Sequence, residues 1–130
     1  MNLTPGFKSI PESPTHVAPD LLEVRELEDV AAGEVCEFRL NAGITGNAVA
    51  NKTVSEFWFL TAGAPQVWLD GTNEGLPSEL AASDYFVVPA GTAFQLSNAK
   101  SDVDARFLAI TMPKYPGPQD TEHVDGYWET

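Results

Sequence analysis

The chain has 130 residues, and its 7 Lys+Arg stand against 19 Asp+Glu for a formal net charge of -12. That length fits one domain burying roughly two-thirds of its unfolded surface, and a hydrophobic content of 43% excludes the polar, charge-rich class of disordered chains. The acidic excess repels phosphate backbones and anionic membrane surfaces, so neither nucleic acid nor membrane is an expected partner.

Residues 1–20 carry Pro5, Pro11, Pro14 and Pro19, which remove backbone donors and predict an extended N-terminal arm. No apolar signal core follows Met1, and no later apolar run nears the roughly 18 residues that span a bilayer. From Leu21 onward, short apolar segments alternate with turn residues such as Asn41-Ala42-Gly43, Asp70-Gly71-Thr72-Asn73 and Pro89-Ala90-Gly91, the spacing of an all-β chain. Acidic residues recur at Glu23, Glu26, Glu28 and Asp29, at Asp102 and Asp104, and around Asp120, Glu122 and Asp125; they read as solvated surface.

The segment Glu34 to Leu40 alternates, with Cys36, Phe38 and Leu40 on one face and Glu37 and Arg39 on the other. Cys36 is the sole cysteine, so no intrachain disulfide can form; a buried, inert thiol and a reducing cytoplasmic setting are expected. Glu56 to Leu60 is apolar on both faces after its first residue and predicts a central strand. Val67-Trp68-Leu69 is expected to return beside it as a hairpin. Tyr85 to Val88, Thr92 to Leu96 and Arg106 to Thr111 supply further strands. No helix of three turns or more is expected. Some eight strands sharing one hydrophobic inventory need closure against open edges, which leaves a sandwich or a jelly-roll barrel.

Three stretches match a known family in order and spacing: Asn51 to Gly63, Asp84 to Asn98 with its Pro89-Ala90-Gly91 turn, and Thr111 to Gly117. The chain resembles the small single-domain cupins, RmlC-like jelly rolls, and within them a subgroup loosely labelled mannose-6-phosphate-isomerase-like. The resemblance spans about Leu21 to Trp128. It implies an all-β cupin double-stranded β-helix, with an arm at 1–20, a barrel at 21–112 and a C-terminal tail at 113–130 packing on the barrel.

Cupins hold a metal through histidines and a glutamate. Here Asn51 matches the first-motif histidine and Phe94 the second, while Glu56 matches the glutamate and Asn98 the closing asparagine. The chain has 2 histidines, His16 in the arm and His123 in the tail, so three histidines cannot assemble within it. The expectation is a metal-independent barrel without cofactor that binds a small organic molecule. Glu56, desolvated among aromatic side chains, is the candidate general acid or base of an isomerase, epimerase, cyclase or lyase. Asn51, Trp58, Trp68, Phe94, Gln95, Asn98, Arg39 and Arg106 are the candidate ligand-binding residues, the arginines as clamps for a carboxylate or partners of Glu56.

Two other readings stay open. One is a non-catalytic binding protein or dimeric scaffold, a homodimer joined through Phe57 and Phe59. The other is a metalloenzyme using Glu56 with His123 or a partner's histidine. No glycine-rich phosphate loop, nucleophile elbow or Cys-x-x-Cys is present.

Overall fold

Alternation along the strands decides the architecture: each long strand sends one set of side chains into a shared interior and the other outward. The structure is a computed structural model describing residues 3–130, so the first two residues of the arm lie outside it. In chain order the strands are β1 (His16–Val17), β2 (Glu23–Val30), β3 (Gly33–Leu40), β4 (Val49–Asn51), β5 (Ser55–Ala62), β6 (Gln66–Leu69), β7 (Ser78–Glu79), β8 (Tyr85–Val88), β9 (Phe94–Ser97), β10 (Ala105–Met112) and β11 (Thr121–His123). Two single 3-10 turns accompany them, at Asn73–Gly75 and Pro118–Asp120. No helix among the described residues is long and apolar enough to cross a membrane.

The strands form a six-stranded sheet in the order β1-β2-β3-β10-β5-β8 and a five-stranded sheet in the order β11-β4-β9-β6-β7. Every named pairing is antiparallel. This is the jelly-roll arrangement. Its interior is aromatic: Trp58 is fully buried, its ring 4.7 Å from Phe38, 5.1 Å from Phe86, 5.2 Å from Phe107 and 5.7 Å from Phe94. Phe94 comes from the small sheet, the other rings from the large one.

Two expectations need correction. β5 and β6 are not a hairpin, because β5 lies between β10 and β8 while β6 pairs with β9 and β7 in the other sheet. Gly63, at φ 95, brings the chain so close to β10 that a Cβ there would fall 2.8 Å from Ala105 Cα. Only glycine accepts both that φ and that approach, and the chain leaves the sheet at this point. Trp58 and Trp68 are therefore in opposite sheets.

The second concerns β2, whose acidic run reads as solvated surface yet forms an eight-residue strand. A bulge between Glu26 and Glu28 interrupts its pairing with β3, turning its charges outward while Val24 stays buried. Arg25 is buried on β2. Its Nε and Nη2 donate to the Pro11 and Glu12 carbonyls at 2.9 and 2.7 Å, and this holds the proline-spaced arm against the sheet.

Candidate functional site

Between the two sheets, at the end bordered by β1 and β11, lies a cavity floored by Trp58, Phe38 and Phe94. Its volume is about 40 Å³, enough to admit water or a small ligand group. Glu56, Thr111 and Cys36 reach it from the large sheet, Val49 and Asn51 from the small one. Thr121 and Tyr115 close it from the tail, His16 and Asp20 from the arm.

Glu56 points inward because it shares the parity of Trp58 and Leu60 on β5. It is 6% exposed, and its Oε1 accepts from Asn51 Nδ2 at 3.2 Å. Asn51 is oriented in turn by a directed chain. Thr121 Oγ1 donates to Asn51 Oδ1 at 2.7 Å, which spends its one proton, so the Tyr115 hydroxyl 2.7 Å away is the donor to Thr121. Tyr115, Thr121 and Asn51 thus hand donors forward to an acceptor that cannot return one while ionised. Pairing of β11 with β4 sets Thr121 opposite Asn51. Asp120 anchors that strand, accepting from the Thr53 hydroxyl at 2.6 Å.

Burial pushes the Glu56 carboxyl up to about 8, and the nearby Asp20 charge adds to this; the Trp58 and Asn51 donors pull the other way and lose. Trp58 Nε1 faces the carboxyl without closing a full hydrogen bond. Thr111, directly across β10 from Glu56, has an Oγ1 with no hydrogen-bond partner among the described residues, although the residue is 2% exposed. Two buried polar atoms therefore stand unsatisfied beside the acid, an arrangement costing about 1–3 kcal/mol per group unless water or a ligand completes it.

Asp20 was not foreseen in the sequence. It is 8% exposed and sits in a turn that crosses the cavity rim, where Leu21 takes φ 76. Its Oδ1 accepts from Leu22 N–H at 3.2 Å. Its backbone carbonyl accepts from Asn47 N–H at 3.1 Å and passes so close to Gly46 that a Cβ there would lie 2.6 Å away. Burial raises the carboxyl to about 6 against the Leu22 bond. Burial likewise raises the Tyr115 hydroxyl and the Cys36 thiol, which leaves Cys36 a protonated, inert group.

Of the candidates named from the sequence, Glu56, Asn51, Trp58 and Phe94 meet at this cavity. The others do not. Trp68 and Gln95 are cross-strand partners on the outer face of the small sheet. There Gln95 Nε2 donates to the Gly46 and Trp128 carbonyls, each at 2.9 Å, and its Oε1 accepts from Trp128 N–H at 2.9 Å. Gln95 holds the tail and does not line the cavity.

Asn98 is buried, but its Nδ2 donates to the Leu40, Asn41 and Val103 carbonyls at 3.1, 3.3 and 2.9 Å, tying two loops together away from Glu56. Arg39 and Arg106 stand opposite each other on β3 and β10, facing outward by the parity that turns Phe38 and Phe107 inward. Arg39 pairs with Glu37, and Arg106 is exposed. Neither lines the cavity.

The histidines exchange roles. His123 is exposed on β11 and does not line the cavity, whereas His16 leaves the arm to pair with Val24 and lines the rim, its ring 6.5 Å from Tyr115. His16, Tyr115 and Thr121 have in common that their segments are irregular in sequence and acquire a place only by tertiary pairing. Tyr115 alone carried a signal, lying within the third matching stretch.

The metal centre implied by the resemblance does not fit these residues. Phe94 offers no donor, and the Asn51 amide is committed to Glu56 and Thr121. Among the described residues no group of three or more His, Cys, Asp or Glu is placed to hold a metal ion.

The sequence matches no family model and no curated protein. Solved structures do match. An uncharacterized conserved protein with a double-stranded β-helix domain from Klebsiella pneumoniae is 12% identical, with 94% of this chain and 99% of that chain covered at a TM-score of 0.69. Streptomyces PAC13, determined with uridine, is 16% identical over 94% of this chain and 92% of its own, at 0.68. A cupin domain from Schizosaccharomyces pombe is 14% identical over 71% and 64%, at 0.60. Nothing in these three proteins supports the mannose-6-phosphate-isomerase-like label. The chain has the cupin fold, a small double-stranded β-helix, with Asn51 and Phe94 standing where the resemblance places metal-binding histidines.

Proposed function

We propose that this chain binds a small organic molecule in the barrel cavity without a metal, and that Glu56 exchanges a proton with it as general acid or base. The reaction classes that such a group serves are isomerisation, epimerisation, cyclisation and elimination. The observation that carries the reading is Glu56 itself: a buried carboxyl, held on one side by Asn51, with the unpartnered Thr111 hydroxyl across from it and an aromatic floor beneath. A neutral carboxylic acid in such a place can give a proton to a bound molecule and recover it in the same turnover. PAC13, of the same fold, was determined with uridine, which supports a small-molecule ligand here at the level of fold. Filling the cavity by Thr111→Leu tests the reading. Ligands found by thermal-shift screening of wild type lose their stabilising effect in the filled variant; ligands that stabilise both proteins equally bind elsewhere and refute it.

A second reading, a dimeric scaffold, rests on the outer face of the large sheet. Cross-strand rows put Leu108, Phe59 and Tyr85 side by side, and Ile110, Phe57 and Val87 beside them. Tyr85 is 64% exposed and Val87 55%, and Phe57 stacks on Tyr85 at 5.4 Å. We propose that this face joins two copies of the chain. Light scattering of wild type against Val87→Lys checks it: a dimer that becomes a monomer is the expected result, and a wild-type monomer contradicts it.

A further inference from the structure

The cavity holds two buried carboxyls and no lysine or arginine beside them. Asp20 and Glu56 both line it, each less than a tenth exposed. No lysine or arginine does. Arg25, Arg39 and Lys114, the basic groups on neighbouring elements, are engaged with Glu23, Glu37 and Asp29 respectively. The one titratable base at the rim, His16, keeps 38% of its side chain in solvent. A buried carboxyl keeps its proton until a cation stands beside it, because an unpaired charge in a poorly polarisable interior is costly. Here the chain supplies none.

Three further observations point the same way. The rings of Phe38, Trp58, Phe94 and Tyr115 line the cavity, and a cation seated over the face of such a ring is attracted by its quadrupole. The Thr111 Oγ1, buried and unpartnered, has lone pairs free to accept from an N–H group. The net charge of -12 over the whole chain draws cations toward the cavity mouth and repels anions from it.

We infer that the cavity is selective for a small organic cation, its ammonium group set between Asp20, Glu56 and the Thr111 hydroxyl and its carbon skeleton against the aromatic floor. This rests on the proposal that the cavity takes a small organic molecule, and goes beyond it by naming the chemical class. Phosphorylated and carboxylate ligands are excluded by the same pattern: each would set a further anion against Asp20 with no guanidinium or ammonium to receive it.

The test uses isobutylammonium, isobutyramide and isobutyrate, probes of nearly one skeleton and three charges. Binding is followed by the Trp58 indole N–H resonance of the full chain, assigned by its loss in Trp58→Phe. Isobutylammonium is expected to shift that resonance saturably with an affinity about tenfold or more above isobutyramide, and isobutyrate to leave it in place. Asp20→Asn, which keeps an acceptor for the Leu22 N–H, removes the ammonium preference and retains amide binding. If Asp20→Asn fails to fold, the wild-type ranking decides alone. Amide or carboxylate binding as tight as the ammonium overturns the inference and leaves small-molecule binding intact. An ammonium preference undiminished in Asp20→Asn also overturns it. No shift with any of the three probes overturns both.

Discussion

Replacing Glu56 with Gln should make the protein more stable above about pH 4.5, by a margin that grows until about pH 8. Burial raises the Glu56 carboxyl from its ordinary 4.5 to about 8 in the folded chain. Between these values the folded state keeps a proton that the unfolded state has released. Stability from this group is therefore complete below about pH 4.5 and is lost as pH rises toward and through 8. A displacement from 4.5 to about 8, at about 1.4 kcal/mol per unit, is worth roughly 5 kcal/mol when fully expressed.

Gln has the shape of the neutral acid, and its carbonyl still accepts from Asn51, so the variant should match wild type near pH 5. The groups that face Glu56 are present in both proteins: Asp20 from the arm, His16, Tyr115, and Cys36 beyond them. Asp20, raised to about 6, weakens both proteins in the same direction over a lower range, and the difference between the two curves isolates Glu56. Urea denaturation followed by tryptophan fluorescence from about pH 5 to pH 9 should show a gap opening in favour of Glu56→Gln, to several kcal/mol. Parallel curves would refute the reasoning, since Glu56 would then be ionised throughout.

Three further outcomes are expected. Asp20→Asn should lower the Glu56 midpoint while leaving it above 4.5, because the Asp20 charge is the second cause of the shift and burial the first; a carbon NMR titration of the two proteins checks this. Trp58→Ala should cost about 3–5 kcal/mol in denaturant midpoints, since four rings lose their common partner. Gln95→Ala should free the Trp128 backbone at a cost of about 1–3 kcal/mol, seen as faster amide exchange confined to the last residues while Glu56 titrates unchanged.

The barrel was legible because its signals are local. Strand alternation in Glu34 to Leu40, the Pro89-Ala90-Gly91 turn and the inward parity of Glu56 with Trp58 each depend on a few consecutive residues, and the structure keeps them. β2 was hidden because its apolar positions are outnumbered by Glu23, Glu26, Glu28 and Asp29, and because a bulge breaks the period that alternation relies on. The β5 to β6 connection looked like a hairpin because a Gly/Ala/Pro turn has the same composition whether it reverses within a sheet or crosses to the facing one. Only the approach of Gly63 to Ala105 distinguishes the two.

The site was legible in part for the same reason. Glu56, Asn51, Trp58 and Phe94 lie on strands, where parity fixes direction. Gln95 is one residue from Phe94 and so faces away. Arg39 and Arg106 are one residue from Phe38 and Phe107 and do likewise. Parity applied to every candidate would have separated these. Asp20, Tyr115 and His16 lie outside the regular strands or in a two-residue one, and no sequence period predicts where they meet.

Glu56 is the decisive group, a protonated acid at neutral pH facing the cavity. Carbon NMR of the side-chain carboxyl in protein labelled on glutamate, assigned by its loss in Glu56→Gln, measures this directly. The expected resonance titrates with a midpoint near 8 and moves when a ligand enters the cavity; a midpoint near 4.5, the ordinary glutamate value, or one indifferent to every cavity ligand, would contradict this reading.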